Sequence, residues 1–380
     1  MDTNNEILDA IEILADRKIS ENITKVLTGV CKSVNINKNT CVMDSNGVSS
    51  TVQFYGSPPE ANELYRIFVP SNDMSRSFII VPPRFTVNPN LLDNWYFGNP
   101  VNQRGQTSYT GNSSPIIDRW NMRGDAVSIT LEDDGLVINC DGQSFNAIVQ
   151  AYEFPKQLLG KKVTFSVLVT ENTSKNTYIV VGNATQRYAV GTVLSRVDFS
   201  GVGLFSLTVD IPTSLSNKYL TFSICAGSPS VSGARFKVVA AKLELGSQQT
   251  LAHLENGNWV LNEIPDYGEQ LARCQRYFWR FSPAEYVAGA TAFGIDANTA
   301  RAMVYLPEQM RTSPALNLNA SEGFFLTGAS GDIFNTTVST VWTASNSVYV
   351  DFKKSGAFEV NAPYFVRGGV SAYIDISADL

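Results

Sequence analysis

The sequence predicts a mainly β protein: an N-terminal helix, a small OB-like barrel, a jelly-roll-like β-sandwich, a short linker helix and a C-terminal β-domain. Three observations predict it. Charged residues make up 17% of the chain, below the roughly 25% of a globular protein. Asn, Ser, Thr, Val and aromatics replace them, a composition that favours strands and turns. From about residue 23 onward, apolar residues alternate over short runs broken by Gly, Asn and Ser, the pattern of half-buried strands. At 380 residues the chain is long for one core and divides into two or three domains.

Residues 1–22 are expected to form an oligomerisation and attachment helix. Asp2 or Thr3 can cap it, and Ile7, Ala10, Ile11 and Leu14 make one apolar stripe. A helix this short is marginal alone, so Ile7, Ile11 and Leu14 must meet their own domain or copies of themselves. Residues 23–84 read as the barrel. Val26–Val30 and Lys32–Ile36 alternate, and Cys41–Asp44 and Val48–Phe54 flank Asn46-Gly47, a strong hairpin signal. Tyr65–Val69 and Ser77–Val81 close the set, which suits an OB-like barrel. Pro82, Pro83 and Pro89 then punctuate a boundary.

Residues 85–246 are expected to form the sandwich, with strands at 126–131, 162–169, 177–181, 203–209, 219–224 and 236–246. Residues 247–278 hold a connector and the linker helix. Pro265 suits a first turn, Glu269 lies early and Arg273 and Arg276 late, as the helix dipole prefers. Leu271, Cys274 and Phe278 fall on one face at three- and four-residue spacing. Residues 279–380 are strands again, at 287–295, 300–307, 347–352 and 371–377.

Several chemistries are excluded or weakened by what is missing. A net charge of −6, with no basic stripe, argues against nucleic acid. Neither a signal peptide nor an apolar run of membrane-span length is present, so synthesis in a cytosol without membrane insertion is expected. Five scattered cysteines without a CxxC give no disulfide framework or zinc site. His253 is the sole histidine and no GxSxG elbow occurs, which removes a catalytic triad. Glu132-Asp133-Asp134 is the densest acidic run, and Asp133-Asp134-Gly135 reads as a turn. Asn90 and Asp93 could offer oxygens to a structural calcium; no other cofactor is expected.

Glycan recognition uses aromatic faces beside hydrogen-bonding groups. The candidates are Trp342, Tyr349, Trp279, Tyr286, Trp95 and Trp120, among aromatics that also build cores. Trp342, followed by Thr343-Ala344-Ser345-Asn346, is the preferred exposed one.

Asp266-Tyr267-Gly268-Glu269-Gln270-Leu271-Ala272-Arg273-Cys274-Gln275-Arg276-Tyr277-Phe278 resembles a signature of tail-fibre and receptor-binding proteins from phages and prophages of Gram-positive hosts. Residues 34–82 are similar to N-terminal barrels of phage baseplate and tail proteins. Residues 88–120 are similar to the opening of the sandwich in the same tail proteins, "AKLELGS" to the closing strand of jelly-roll carbohydrate-binding modules, and "PEQMRTSPAL" to tail-fibre tips. The resemblance implies a homotrimeric virion protein, made in a bacterial host and acting outside it. It would be attached to a baseplate or tail by its N-terminal region and bind a host-surface glycan without enzymatic activity. A purely structural tail component is the alternative, and a glycan depolymerase the third; an exposed aromatic patch on the distal domain favours the adhesin.

Overall fold

The computed structural model describes residues 23–378, apart from 36–37, 57, 60, 71–72, 82–87, 112–114, 125–126, 141–144, 175, 227–233, 256, 284–287, 320–322 and 370–371. The expected helix bearing Ile7, Ile11 and Leu14 lies outside the described residues. The chain packs as two compact units, Met1–Thr86 and Val87–Leu380. It is mainly β, as its composition and alternation foretell.

In the first unit, strands β1 (Ile23–Asn35), β2 (Thr40–Ser45), β3 (Val48–Gly56), β4 (Leu64–Pro70) and β5 (Phe78–Val81) close a barrel in the order β1-β2-β3-β5-β4. Among the described strands of this unit, β3 and β5 pair in parallel and the others antiparallel. The expected segment at 26–30 and residues 32–35 of the next belong to one long strand, bent by a bulge between Cys31 and Ser33, while Ile36 lies outside the described residues. Such a bend lets a single strand pair with β2 at one end and β4 at the other. Asn46 and Gly47 take positive φ of 54° and 83°, as a tight hairpin turn requires. Gly29 is needed for space: a Cβ there would lie 2.8 Å from the Ile67 side chain and 3.0 Å from the Asp44 carbonyl. Inside lie Cys31, Cys41, Met43, Val52, Phe54, Ile67, Val69, Ile79 and Val81.

The second unit begins with β6 (Ser108–Gly111), β7 (Asn121–Gly124), β8 (Val127–Glu132), β9 (Gly135–Cys140), β10 (Asn146–Ala151), β11 (Lys162–Asn172), β12 (Thr177–Ala184), β13 (Thr192–Phe199), β14 (Gly203–Asp210), β15 (Tyr219–Ala226) and β16 (Ala234–Leu245). They form two antiparallel sheets, β13-β12-β15-β10-β7 and β14-β11-β16-β9-β8-β6. Their shared core includes Phe165 against Phe222, ring centroids 5.5 Å apart, and Phe97 against Trp120 at 5.2 Å. Each such buried ring contributes about 1.5–3 kcal/mol. Glu132, Asp133, Asp134 and Gly135 form the β8–β9 turn, and Lys237 bonds Glu132 and Asp134 at 2.7 and 2.8 Å.

On its β16 side, β9 covers the first half of that strand, Ala234–Val238. Residues 90–97 run beside the second half: Leu91 N–H donates to the Leu243 carbonyl, Ala241 N–H to Trp95 and Phe97 N–H to Val239. The chain leaving β16 then folds back as the hairpin β17 (Ala252–Glu255) and β18 (Asn258–Leu261). This connector satisfies two charges buried on β16. Lys242 reaches Glu263 at 2.5 Å, and Glu244 accepts from the Thr250 N–H and hydroxyl, both at 2.6 Å.

The linker helix α1 (Tyr267–Gln275) starts two residues after Pro265, because Asp266 is the N-cap and accepts from Glu269 N–H at 2.8 Å. Its buried positions are Gln270 and Cys274. The expected Leu271, Cys274, Phe278 face is therefore corrected: the helix stops at Gln275, and Phe278 opens the next strand. Polar contacts fasten α1 to the segment beside β16. Gln270 accepts the Asn94 N–H at 2.7 Å, and Arg273 meets Asp93 at 2.6 Å.

The remainder comprises β19 (Phe278–Phe281), β20 (Ala290–Asp296), β21 (Thr299–Tyr305), β22 (Ala315–Asn319), β23 (Phe324–Gly328), β24 (Gly331–Thr343), β25 (Ser347–Lys353), β26 (Pro363–Gly368) and β27 (Tyr373–Ser377). Strands β20-β21-β25-β24-β23-β26 close a second barrel, and β19-β27-β22 form a small sheet beside it. Both share a core of Phe281, Val304, Phe324, Val350, Phe352, Ile374 and Ile376. Among the described residues, no helix is long and apolar enough to cross a membrane.

Asp93 also meets Arg119 at 2.9 Å, and both of these side chains are nearly buried. Asp93→Asn leaves two guanidinium groups without their carboxylate. It should destabilise the second unit by about 3 kcal/mol, seen as a drop of several degrees in its calorimetric transition.

Burial, and secondarily the charge of Asp118, pushes the Tyr109 phenol up to about 12. Unfolded tyrosines ionise near 10. Tyr109 thus contributes stability that is complete below about pH 10 and lost as pH rises through about 12. Urea midpoints measured from about pH 8 to 12 should fall over this window, and fall less steeply in Tyr109→Phe.

Candidate functional site

The outer surface of the second barrel gathers three of the six sequence-selected aromatics. Alternation along β21 points Ala302 and Val304 into the core and leaves Arg301, Met303 and Tyr305 outside. Register then builds rows across the barrel. Phe293 on β20 faces Arg301, Arg301 faces Asp351 on β25, and Asp351 faces Ser339 on β24. The next row runs Met303, Tyr349, Trp342.

Trp342 reaches this row through a bulge. Thr340 pairs with Val350 but Trp342 pairs with Tyr349, so β24 carries an extra residue between them. Before the bulge, even-numbered Thr336 is buried and Val338 packs on the core; after it, even-numbered Trp342 is 56% exposed. In an unbroken strand Trp342 would face inward, since side-chain direction alternates with period two. The bulge re-aims it onto Tyr349, with ring centroids 5.7 Å apart at 52°.

A cleft of about 640 Å³ opens on this surface, lined by Trp279, Phe293, Ile295, Arg301, Met303, Tyr305 and Tyr349 among others. Phe293 is 53% exposed and Tyr305 69%. Trp279 enters from β19, half-buried and tilted against Phe281 at 5.8 Å. Arg301 forms a two-pronged pair with Asp351, Nε to Oδ1 at 2.7 Å and a terminal nitrogen to Oδ2 at 3.1 Å. That bond raises the guanidinium's already high pKa, so it stays charged. The cleft therefore offers broad aromatic faces beside a fixed guanidinium donor, the combination that holds a polar ring by stacking and hydrogen bonds.

The other sequence-selected residues have different roles. Trp95 and Trp120 are 3% and 1% exposed. Both belong to the sandwich core, and Trp120 Nε1 donates to the Asn94 carbonyl at 2.9 Å, so neither offers a face to a ligand. Tyr286 lies outside the described residues. The calcium expectation is corrected as well. Asp93 has one oxygen on Arg119 and the other on Arg273. Asn90 Oδ1 accepts from Leu92 and Leu243 N–H while its amide donates to Ala241. Positive guanidinium groups hold the place a cation would take. Among the described residues, no group of three or more His, Cys, Asp or Glu could hold a metal. His253 bonds Asn262 at 2.6 Å within the β17–β18 hairpin.

Sequence reasoning missed Phe293, Arg301, Tyr305 and Asp351. The signal for Arg301 and Tyr305 was present, since alternating Ala302 and Val304 mark the opposite face as core.

No family model matches the chain, and no curated protein matches it. Among solved structures it is similar to a family 4 carbohydrate-binding module, at 12% identity and a TM-score of 0.28 over 40% of this chain and 99% of that one. A family 61 module in complex with β-1,4-galactotriose gives 16% identity and 0.26 over 42% and 99%. A family 29 module variant complexed with mannohexaose gives 12% and 0.24 over 37% and 89%. Likeness at this level carries no functional argument, and the sandwich is assigned from its own two sheets.

Asp351→Asn should weaken the grip on Arg301 and destabilise the second barrel by about 1–2 kcal/mol, measurable as a lower guanidinium-chloride midpoint.

Proposed function

We propose that this chain is a receptor-binding protein of a phage tail or tail-like particle, which attaches the particle to glycans on the host surface. The observation that carries the reading is the exposed cleft of the second barrel. Tyr349 lines it with Trp342 tilted against its ring, and Arg301, held from behind by Asp351, gives it a polar, charged edge. A large exposed aromatic surface is unusual on a monomer and marks a contact site. The accompanying ion pair suits the hydroxyls of a sugar better than an apolar partner.

The particle assignment is supported by the resemblance of the segments around residues 34–82, 88–120 and 266–278 to tail and baseplate proteins. In this reading the N-terminal region attaches the protein to the tail, and three copies present three clefts. Weak single contacts then gain about 10² or more in avidity. The function is adhesion without catalysis. Glycoside hydrolysis needs two carboxylates in the roles of acid and base or nucleophile, and Asp351, beside the cleft, is committed to Arg301. A purely structural tail component gives no account of the exposed Trp342 and Tyr305.

The test is binding of the purified full chain to Gram-positive cells and to isolated cell-wall glycans, with mass by light scattering. Trp342→Ala and Tyr349→Ala should each weaken single-site binding by about tenfold or more, with Trp342→Phe retaining part of it. Unchanged binding by both alanine variants would remove the cleft from the function. A monomer in solution would remove the avidity.

A further inference from the structure

A second concave site lies where the sandwich meets the residues following α1. A cleft of about 480 Å³ is walled by six stretches remote in sequence: Arg119 before β7, the turn after β10, the loop between β12 and β13, the start of β15, Tyr277 and Arg311. Its charge runs against the molecule's. The chain carries −6 overall, yet Arg119, Lys156, Arg187, Lys218 and Arg311 line this cleft together with a single carboxylate, Glu153.

That carboxylate is already engaged. One Glu153 oxygen pairs with Arg276 at 3.3 Å and the other accepts the Tyr277 hydroxyl. Arg119 is fixed from two sides, by Asp93 at 2.9 Å and by the Tyr277 ring, whose centroid lies 3.4 Å below its guanidinium carbon. Lys156 and Lys218 are exposed at the rim. Aromatic surface accompanies the charge: Tyr152 lies edge-on to Phe154, which is 45% exposed, and Lys218 Nζ lies 5.0 Å from the Tyr219 ring centroid.

Cations converging on a low-dielectric concave wall raise the local concentration of anions. Lysine and arginine donors bind carboxylate or phosphate with charge-assisted hydrogen bonds. Flanking rings add stacking area for whatever carries the anion. We propose that this cleft binds an acidic saccharide, its carboxylate or phosphate held by Lys156, Lys218 and the neighbouring arginines. The site is separate from the aromatic cleft of the second barrel and does not rest on it.

Calorimetric titration of the full chain with glucuronate, glucose 6-phosphate and glucose tests this. At least one acidic sugar should bind and glucose should not; which one binds tells carboxylate from phosphate. Affinity should fall as salt is raised, because screening shortens to about 10 Å or less at 0.1 M and above. Lys156→Gln/Lys218→Gln, two exposed positions whose melting temperature should match the parent, should lose about tenfold or more in affinity. Trp342→Ala should bind the acidic sugar as the parent does, which keeps this result independent of the distal cleft. No binding by either acidic sugar, equal binding of glucose, an unchanged lysine variant, or loss of binding in Trp342→Ala would each overturn the proposal.

Discussion

The second unit depends on a carboxylate placed between two guanidinium groups. Asp93 lies in the strand-like segment beside β16, which itself is clamped by a reciprocal pair of hydrogen bonds between the Gln150 amide and the Asp93 backbone, both at 2.8 Å. One carboxylate oxygen holds Arg119 from the sandwich and the other holds Arg273 from α1. Arg119 adopts a positive φ of 72°, a conformation that costs a residue with a Cβ roughly 1–2 kcal/mol. Its bonds to Asp93 and to the Ala151 carbonyl, and its stacking on Tyr277, offset that cost. A charge cluster of this kind adds little net stability compared with apolar packing, but it fixes orientation, because every member has only one satisfied arrangement.

From Tyr277 the same logic extends to the second barrel. Arg104 lies 3.6 Å over the Phe278 ring and pairs with Asp118 at 3.2 Å. Gln103 donates to the Phe278 carbonyl, and Arg280 donates to the Arg104 carbonyl while gripping Asp375. Arg311 N–H and Ala378 N–H close onto the carbonyls of Arg276 and Tyr277. The run from Gln270 to Arg280 is thus a joint: Gln270, Arg273, Arg276, Tyr277 and Phe278 meet sandwich side chains, while Arg280 grips Asp375 and the backbone of Arg276 and Tyr277 accepts from Arg311 and Ala378. Its aromatic and arginine content follows from that geometry, since planar guanidinium groups stack on rings and bond carboxylates at the same time.

Much of this architecture was legible in the sequence because local chemistry determines it. Asn46-Gly47 fixes a hairpin, the early Glu269 and late Arg273 a helix, and alternation the strands of the sandwich and of β21 and β25. The helix face was not legible. Periodicity counts apolar residues and so selects Leu271, whereas the joint buries an amide, Gln270, whose partner Asn94 is 176 residues away. Trp95 and Trp120 could not be separated from Trp342 by residue type, since core and platform use the same rings. What distinguishes Trp342 is one extra residue in β24, visible only when β25 supplies the register. The charge reversal around Arg119 was likewise hidden, because its cations come from stretches that no window spans.

The polar joint has a consequence for how such chains can recombine. An apolar interface tolerates exchange of one side for any surface of similar shape, but this one matches particular donors to particular acceptors. A chimaera that keeps Gln103, Arg104, Asp118 and Glu153 and imports a foreign module beginning after Phe281 inherits most of the joint intact; it lacks the Arg311, Asp375 and Ala378 contacts unless the newcomer supplies their equivalents. One cut upstream of residue 265 must import the matching Gln270, Arg273, Arg276 and Tyr277 as well. Module swapping should therefore succeed best with donors that carry the 266–281 run unchanged, because this short seam sets which surfaces can meet.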